Sequence, residues 1–360
     1  MILDRYIIHE IGKPMVVICT VLIAIFASYS AAEYLADAVS GLFPPGAVLL
    51  MLVLRIAIAL EVLLPTTLYL SVVIALGRMY RDSEMVALSS CGVGMARILR
   101  SVFYFALIVS LLVAALSIFV RPWAYKKVYG LKTLAKEDFD ISRMEPGNFY
   151  EIKSAHMVIF AEEVDHQRHR IGKVFIRIKE GQRLQVIWAR QVFQPEKTVD
   201  GRRPLLLRDG FLYEFTRSGA RGKTTEFAEA TYLVASPEAV AVKYKRRAAS
   251  TGYLMRSDKL EDIAELQWRL STAISTVLLA LLGVPLSRTT PRQGKYVKLV
   301  AAVIIFAIYY NVTVVAKNWV EKGVLDAIPG IWWVPALLAG CIMALLWKSG
   351  EVLRWRRTSR

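Results

Sequence analysis

The chain has 360 residues, of which 55% are hydrophobic and 21% charged, with a formal net charge of +16 and a mean hydropathy of +0.42. Such a composition excludes an ordinary soluble globule and a bundle sunk wholly in lipid, leaving apolar blocks in a bilayer and a polar block elsewhere. Cys19, Cys91 and Cys341 all fall in or beside apolar blocks, so the polar middle has no disulfide framework.

In chain order, the first apolar stretch is Pro14–Ala36, long enough for a spanning helix, which needs roughly 20 residues. It reads as a span rather than a cleavable signal, because the segment before it is long and carries Asp4 and Glu10. The second, Val48–Leu76, holds Arg55 near one end, Glu61 deeper, and Pro65, which is predicted to kink it. A carboxyl at Glu61 requires a partner or a water-filled cavity, which makes it the candidate intramembrane polar residue.

Between the second and third spans lies the segment 78–100. Arg81, Asp82, Ser83 and Glu84 place acidic and capping residues at a helix start. Met85 and Leu88 supply an apolar edge, and Gly92 and Gly94 end the helix. The predicted helix, about 82–91, is on the order of 15 Å long, too short to span and suited to passing motion from a partner. The plainer reading is an interfacial loop helix.

The third span is Ile98–Val120, and Tyr125–Glu137 is predicted as a short helix leading out of it. From about Arg121 to Glu265 no apolar run is long enough to cross. Val174–Ile178, Leu184–Trp188 and Leu212–Thr216 alternate as half-buried strands. Gly172, Gly181, Asp209-Gly210 and Ser218-Gly219 are predicted turns, and the spacing suggests a sandwich or jellyroll. Gly219–Thr224 only mimics a phosphate-binding loop, since Arg217 stands where its first glycine is needed. His166 and His169 lack a second cluster to complete a metal site, and no nucleophile–base arrangement has supporting context.

Three further stretches, Leu270–Leu286, Leu299–Ala316 and Ile331–Trp347, complete a three-plus-three layout. The division is 1–120 for spans one to three, 121–262 for the β domain with its helical lead-in, and 263–360 for spans four to six and a basic tail. Orientation follows from the short segments. On one side lie Arg5, Lys13, Arg78, Arg81, Arg97, Arg100, Arg288, Arg292, Lys295, Lys298, Lys348, Arg354, Arg356, Arg357 and Arg360; on the other, only Lys317 and Lys322. Both termini are therefore expected in the cytoplasm and the polar domain outside. The same asymmetry accounts for the basic balance without nucleic acid.

Arg55, Arg121, Lys126, Lys127, Arg269, Lys317 and Lys322 are expected to ring the outer interface, where they suit an anionic lipid headgroup bearing phosphates. The plainer alternatives are an Arg269–Glu265 pair one turn apart and snorkelling lysines.

The layout, together with Tyr80–Met85, Val284–Ser287 and Pro291–Gly294, resembles the lipopolysaccharide export permeases LptF and LptG over essentially the whole chain. Asp82–Met85 with Leu88 and Cys91-Gly92 is closer to the LptF half. The resemblance implies six spans around an inserted periplasmic β-jellyroll in the bacterial inner membrane. It implies a heterodimer with the paired permease, seated on a dimer of the ATPase LptB. ATP and magnesium would belong to that ATPase, with no cofactor in this chain. Lipopolysaccharide would leave the outer leaflet past the first and fifth spans and travel by the jellyroll to LptC and the bridge protein LptA. The family's basic residues near the outer end of span one are absent here, where Glu33 and Asp37 stand.

Competing readings are a proton-coupled transporter titrating Glu61 and a membrane-anchored enzyme with its site between Met144 and Ser257. A lipoprotein-type ABC permease is a nearer rival, but that family carries its large domain after the first span.

Overall fold

The computed structural model describes residues 2–39, 45–137, 145–152, 157–165, 170–180, 183–193, 204–216, 222–233, 246–288 and 297–348. His166, His169, Gly181, Ser218-Gly219, Pro291–Gly294 and the basic tail beyond Lys348 lie outside the described residues. The chain divides into two compact units: Met1–Ser30, Leu52–Lys127 and Arg246–Arg360 form one, Ala31–Met51 and Val128–Lys245 the other.

Long apolar runs form long helices because a backbone in lipid must satisfy its own polar groups. They are α1 (Ile2–Val39), α2 (Pro45–Arg81), α4 (Met95–Ala115), α7 (Leu260–Leu286) and α8 (Val297–Glu321). Among the described residues five helical segments are long and apolar enough to cross a membrane, α4 doing so together with its continuation into α5 (Arg121–Glu137). The sixth expected span, α9 (Trp333–Lys348), has 16 residues and is shorter than those five. Two short helices, α3 (Glu84–Ser90) and α6 (Thr251–Leu254), complete the set.

Within the helical unit one core joins Ile7 and Ile11 of α1, Leu68, Val72, Leu76 and Met79 of α2, and Met85 of α3. Ile98, Val102, Ala106, Val109 and Val113 of α4 close it, with Ala280 and Val284 of α7. Gly283 is required in α7, since a Cβ there would lie 2.9 Å from the Val72 side chain.

The other unit holds one six-stranded antiparallel sheet in the order β1-β2-β3-β4-β5-β6. Its strands are β1 (Phe149–Ile152), β2 (Met157–Asp165), β3 (Arg170–Glu180), β4 (Arg183–Phe193), β5 (Pro204–Thr216) and β6 (Lys223–Leu233). Every strand pairs with its sequence neighbour, so the described strands form a meander, without the crossed connections of a jellyroll. One face carries the core: Met157, Ile159, Ala161, Ile171, Val174, Ile176, Ile178, Ile187, Ala189, Val192, Leu205 and Leu207.

Gly172 and Asp209-Gly210, predicted as turns, lie inside β3 and β5. They mark a fault line instead. The pairing skips Glu162–Lys173, Lys173–Arg190, Arg190–Asp209 and Asp209–Ala228, one position on each of five neighbouring strands. Across that line the core positions are separated by two residues rather than one: Ile171 to Val174 and Ala189 to Val192. Lys173 (φ 49°) and Asp209 (φ 50°) take the left-handed conformation that makes the step. Asp tolerates it, whereas Lys173 is held by Glu162 at 2.9 Å and Glu163 at 3.2 Å. Those carboxylates, Glu162 first, also raise the Lys173 ammonium pKa. Because all five strands step together, pairing resumes beyond the line without losing register.

Candidate functional site

Two groups of the expected residues come together in the helical unit. The first is the short turn between α2 and α4. α2 runs to Arg81, leaving only Asp82 and Ser83 before α3, so the helix is Glu84–Ser90 and about 10 Å long. Ser83, expected to cap it, has φ 60° and makes no side-chain cap hydrogen bond. The tight reversal sets its backbone and turns the hydroxyl away from the helix N–H groups. Glu84 remains in the first turn, where its charge suits the helix dipole.

The helix ends in a Schellman closure: Val93 N–H donates to the Leu88 carbonyl and Gly92 N–H to that of Ser89, both at 3.0 Å. Gly92, at φ 79°, supplies the left-handed residue that this closure needs. Met85 is 5% exposed in the core and Leu88 packs beside it. Val86, next along the helix and turned away from that core, is 60% exposed. Arg81 and Asp82 are exposed and lie 3.7 Å apart. A seven-residue helix has little stability of its own. Its position therefore derives from the core under Met85 and from the side chains that reach it.

The second group is a buried ion network. Arg121 Nη1 donates to both carboxylate oxygens of Glu61, at 2.7 and 2.9 Å, and its Nη2 lies 3.2 Å from Glu265. Ser117 Oγ donates to Glu61 at 2.8 Å. Glu265 also receives Lys317 at 2.5 Å and Arg269 at 3.4 Å. Arg269, 0% exposed, donates as well to Thr251 Oγ1 at 2.9 Å and to the Arg247 and Ala249 carbonyls. Trp268 lies under two cations, with Lys317 Nζ 5.0 Å and the Arg121 guanidinium 5.9 Å from its ring centroid.

Two prolines shape this network. Pro122 has no N–H for the Ile118 carbonyl, and the preceding turn, Leu116–Val120, opens into a π-helix. The Ile118 carbonyl instead accepts from Thr251 Oγ1 at 3.0 Å. Pro65, inside the continuous α2, likewise withholds an N–H from the carbonyl of Glu61.

The expected ring of headgroup-facing cations is thus divided. Arg121, Arg269 and Lys317 are turned inward and engaged by Glu61 and Glu265. The cause is electrostatic: a buried carboxylate draws in any cation within reach, because leaving it unpaired costs more than displacing water from the cation. Lys126, Lys127 and Lys322 are exposed and Arg55 is half-buried. The pairing of Arg269 with Glu265 was legible from their four-residue spacing. Missed from the sequence were Ser117 and Thr251, whose roles depend on helices far apart in the chain. Among the described residues no cluster of His, Cys, Asp and Glu is arranged to hold a metal.

Residues 5–348 match the model of a family described as the lipopolysaccharide export system permease LptF/LptG. The chain is 25% identical over 358 residues to the lipopolysaccharide export system permease protein LptF of Escherichia coli (strain K12). That alignment covers 99% of this chain and 98% of the relative. The protein of the same description from Shigella flexneri matches with the same identity and coverage.

Proposed function

The chain belongs to the LptF/LptG family of lipopolysaccharide export permeases, and from that premise we propose that it is the non-catalytic transmembrane half of an ATP-driven lipid extractor. In this reading it pairs with a second permease, LptG, on a dimer of the ATPase LptB, which binds the ATP and magnesium. Lipopolysaccharide is drawn from the outer leaflet of the inner membrane and passed to LptC and LptA. Both termini are cytoplasmic and the β unit is periplasmic.

The observation that carries the proposal is α3, a seven-residue helix with one side seated in the core through Met85 and the other presenting Val86 outward. Such a helix passes a push at its outer face into α1, α2 and α4, which share its core. Lys126, Lys127, Lys322 and Arg55 supply the headgroup contacts, while Arg121, Arg269 and Lys317 form a fixed scaffold behind them. Apolar side chains exposed along α1 and α8, such as Val17, Val21, Ile304 and Ile308, offer surface to lipid and to the partner permease.

A proton-coupled transporter is the weaker alternative, because both Glu61 carboxylate oxygens are already engaged by Arg121 Nη1, one of them by Ser117 as well. The test is affinity purification from membranes followed by reconstitution. The proposal expects a cytoplasmic ATPase and a second permease to co-purify, and Glu84→Ala to uncouple hydrolysis from lipopolysaccharide release. Release by the chain with no nucleotide-binding subunit would overturn it.

A further inference from the structure

The first turns of α1 reach all three elements that frame the coupling turn. Asp4 accepts from Ser101 Oγ of α4 at 2.7 Å, Tyr6 OH donates to Glu84 Oε2 of α3 at 2.7 Å, and Glu10 pairs with Arg78 of α2. Between these polar ties, Ile7 and Ile11 are fully buried in the core that also holds Met79, Met85 and Ile98. The three partners lie 97, 78 and 68 residues away in sequence, yet all are met within three turns of one helix.

We infer that Tyr6 is a positioning residue for lipid export, holding the Glu84 carboxylate in the orientation that engages the driving subunit. The inference rests on the reading of α3 as the coupling helix. A glutamate on a half-exposed helix face otherwise samples several rotamers, each directing its charge elsewhere. The bond is charge-assisted, stronger and more directional than one between neutral groups. One carboxylate oxygen accepts the phenol hydrogen bond, and that bond selects the direction in which the other points. Ile7 and Ile11 fix where the phenol stands. Movement of α3 is thereby felt at the start of the first span, as well as through α2 and α4.

Tyr6→Phe removes the hydroxyl and keeps the ring, so the fold is preserved while Glu84 is released. The experiment compares wild type, Tyr6→Phe, Glu84→Ala and the double variant in the full complex reconstituted in proteoliposomes. Its readout is lipopolysaccharide released per ATP hydrolysed, with the amount of assembled complex measured alongside. Tyr6→Phe is expected to assemble normally and to lower release per ATP by about threefold to tenfold, the scale of a single hydrogen bond in an exposed setting. In the Glu84→Ala background it adds nothing, because its partner is already gone. Wild-type coupling in Tyr6→Phe while Glu84→Ala uncouples would overturn the role of Tyr6 alone, as would a loss that adds to that of Glu84→Ala. Unchanged coupling in Glu84→Ala would overturn the coupling-helix reading itself.

Discussion

Arg121 Nη1 donates to both carboxylate oxygens of Glu61, a residue sixty positions earlier on a different helix, with both bonds under 3 Å. This pair answers the question that an acidic residue in an apolar span poses. Glu61 is not solvated and not free; it is the inner counter-charge for the helix that leads toward the sheet. Ser117 from the π turn and Glu265 from α7 complete the enclosure. Its tightness makes its consequences measurable.

Removing Glu61 leaves three buried cations, Arg121, Arg269 and Lys317, facing the single carboxylate of Glu265. Glu61→Ala should destabilise the helical unit by about 3–5 kcal/mol, the usual loss when one partner of a buried pair is removed. Replacing both partners, Glu61→Leu with Arg121→Met, should recover much of that loss, because no unpaired charge remains. Thermal unfolding of the purified complex in detergent distinguishes the two. A single variant that melts like wild type would show the pair to be dispensable.

The three cations around Glu265 are not equivalent. Lys317, 11% exposed at its side chain, can be lost while Arg121 and Arg269 still face Glu265 and every buried carboxylate keeps a partner. Lys317→Met is therefore expected to cost about 1–2 kcal/mol, less than Arg121→Met at about 3–5 kcal/mol. Denaturant midpoints measured on the two variants give the order, and the reverse order would contradict this charge accounting.

Thr251 links a freed carbonyl to a buried cation, donating to Ile118 and accepting from Arg269. Thr251→Val has nearly the same shape and neither bond. A loss of about 1–3 kcal/mol should follow, with faster amide exchange in the π turn than in the middle of α4. Uniform exchange along both segments would mean that the turn is held by other contacts.

In the sheet, a Cβ at Gly210 would lie 2.3 Å from the Trp188 carbonyl oxygen and 2.6 Å from the Phe227 ring. Gly210→Ala should loosen β4, β5 and β6 by about 1–3 kcal/mol, visible as exchange confined to those strands. Gly130→Ala, with nothing within 4 Å of the new methyl, should leave them unchanged. Equal effects from both substitutions would remove the fault line as a constraint.

The long spans were legible because apolar runs of bilayer length admit few other structures, and the strands were legible from alternation. Glycines misled within the sheet: Gly172 and Asp209-Gly210 carry the composition of turns but serve a step shared by five strands, which no single segment reveals. At the turn between α2 and α4, Glu84 and Met85 were readable from local pattern, whereas the cap at Ser83 failed because the chain reverses there too sharply. The cations were visible as residues but not as a network. Which of them face outward depends on where Glu61 and Glu265 sit, and that is settled by packing between distant helices.

The central claim, that α3 is the surface through which a cytoplasmic ATPase drives this permease, is tested most directly by a photo-crosslinking residue at Val86 in membranes of living cells. Val86 points outward while Met85, its neighbour, is 5% exposed and faces the core. A crosslink from position 86 to the ATPase subunit is expected, and none from position 85. Crosslinks from position 86 to lipid alone, with the ATPase captured elsewhere or not at all, would contradict it.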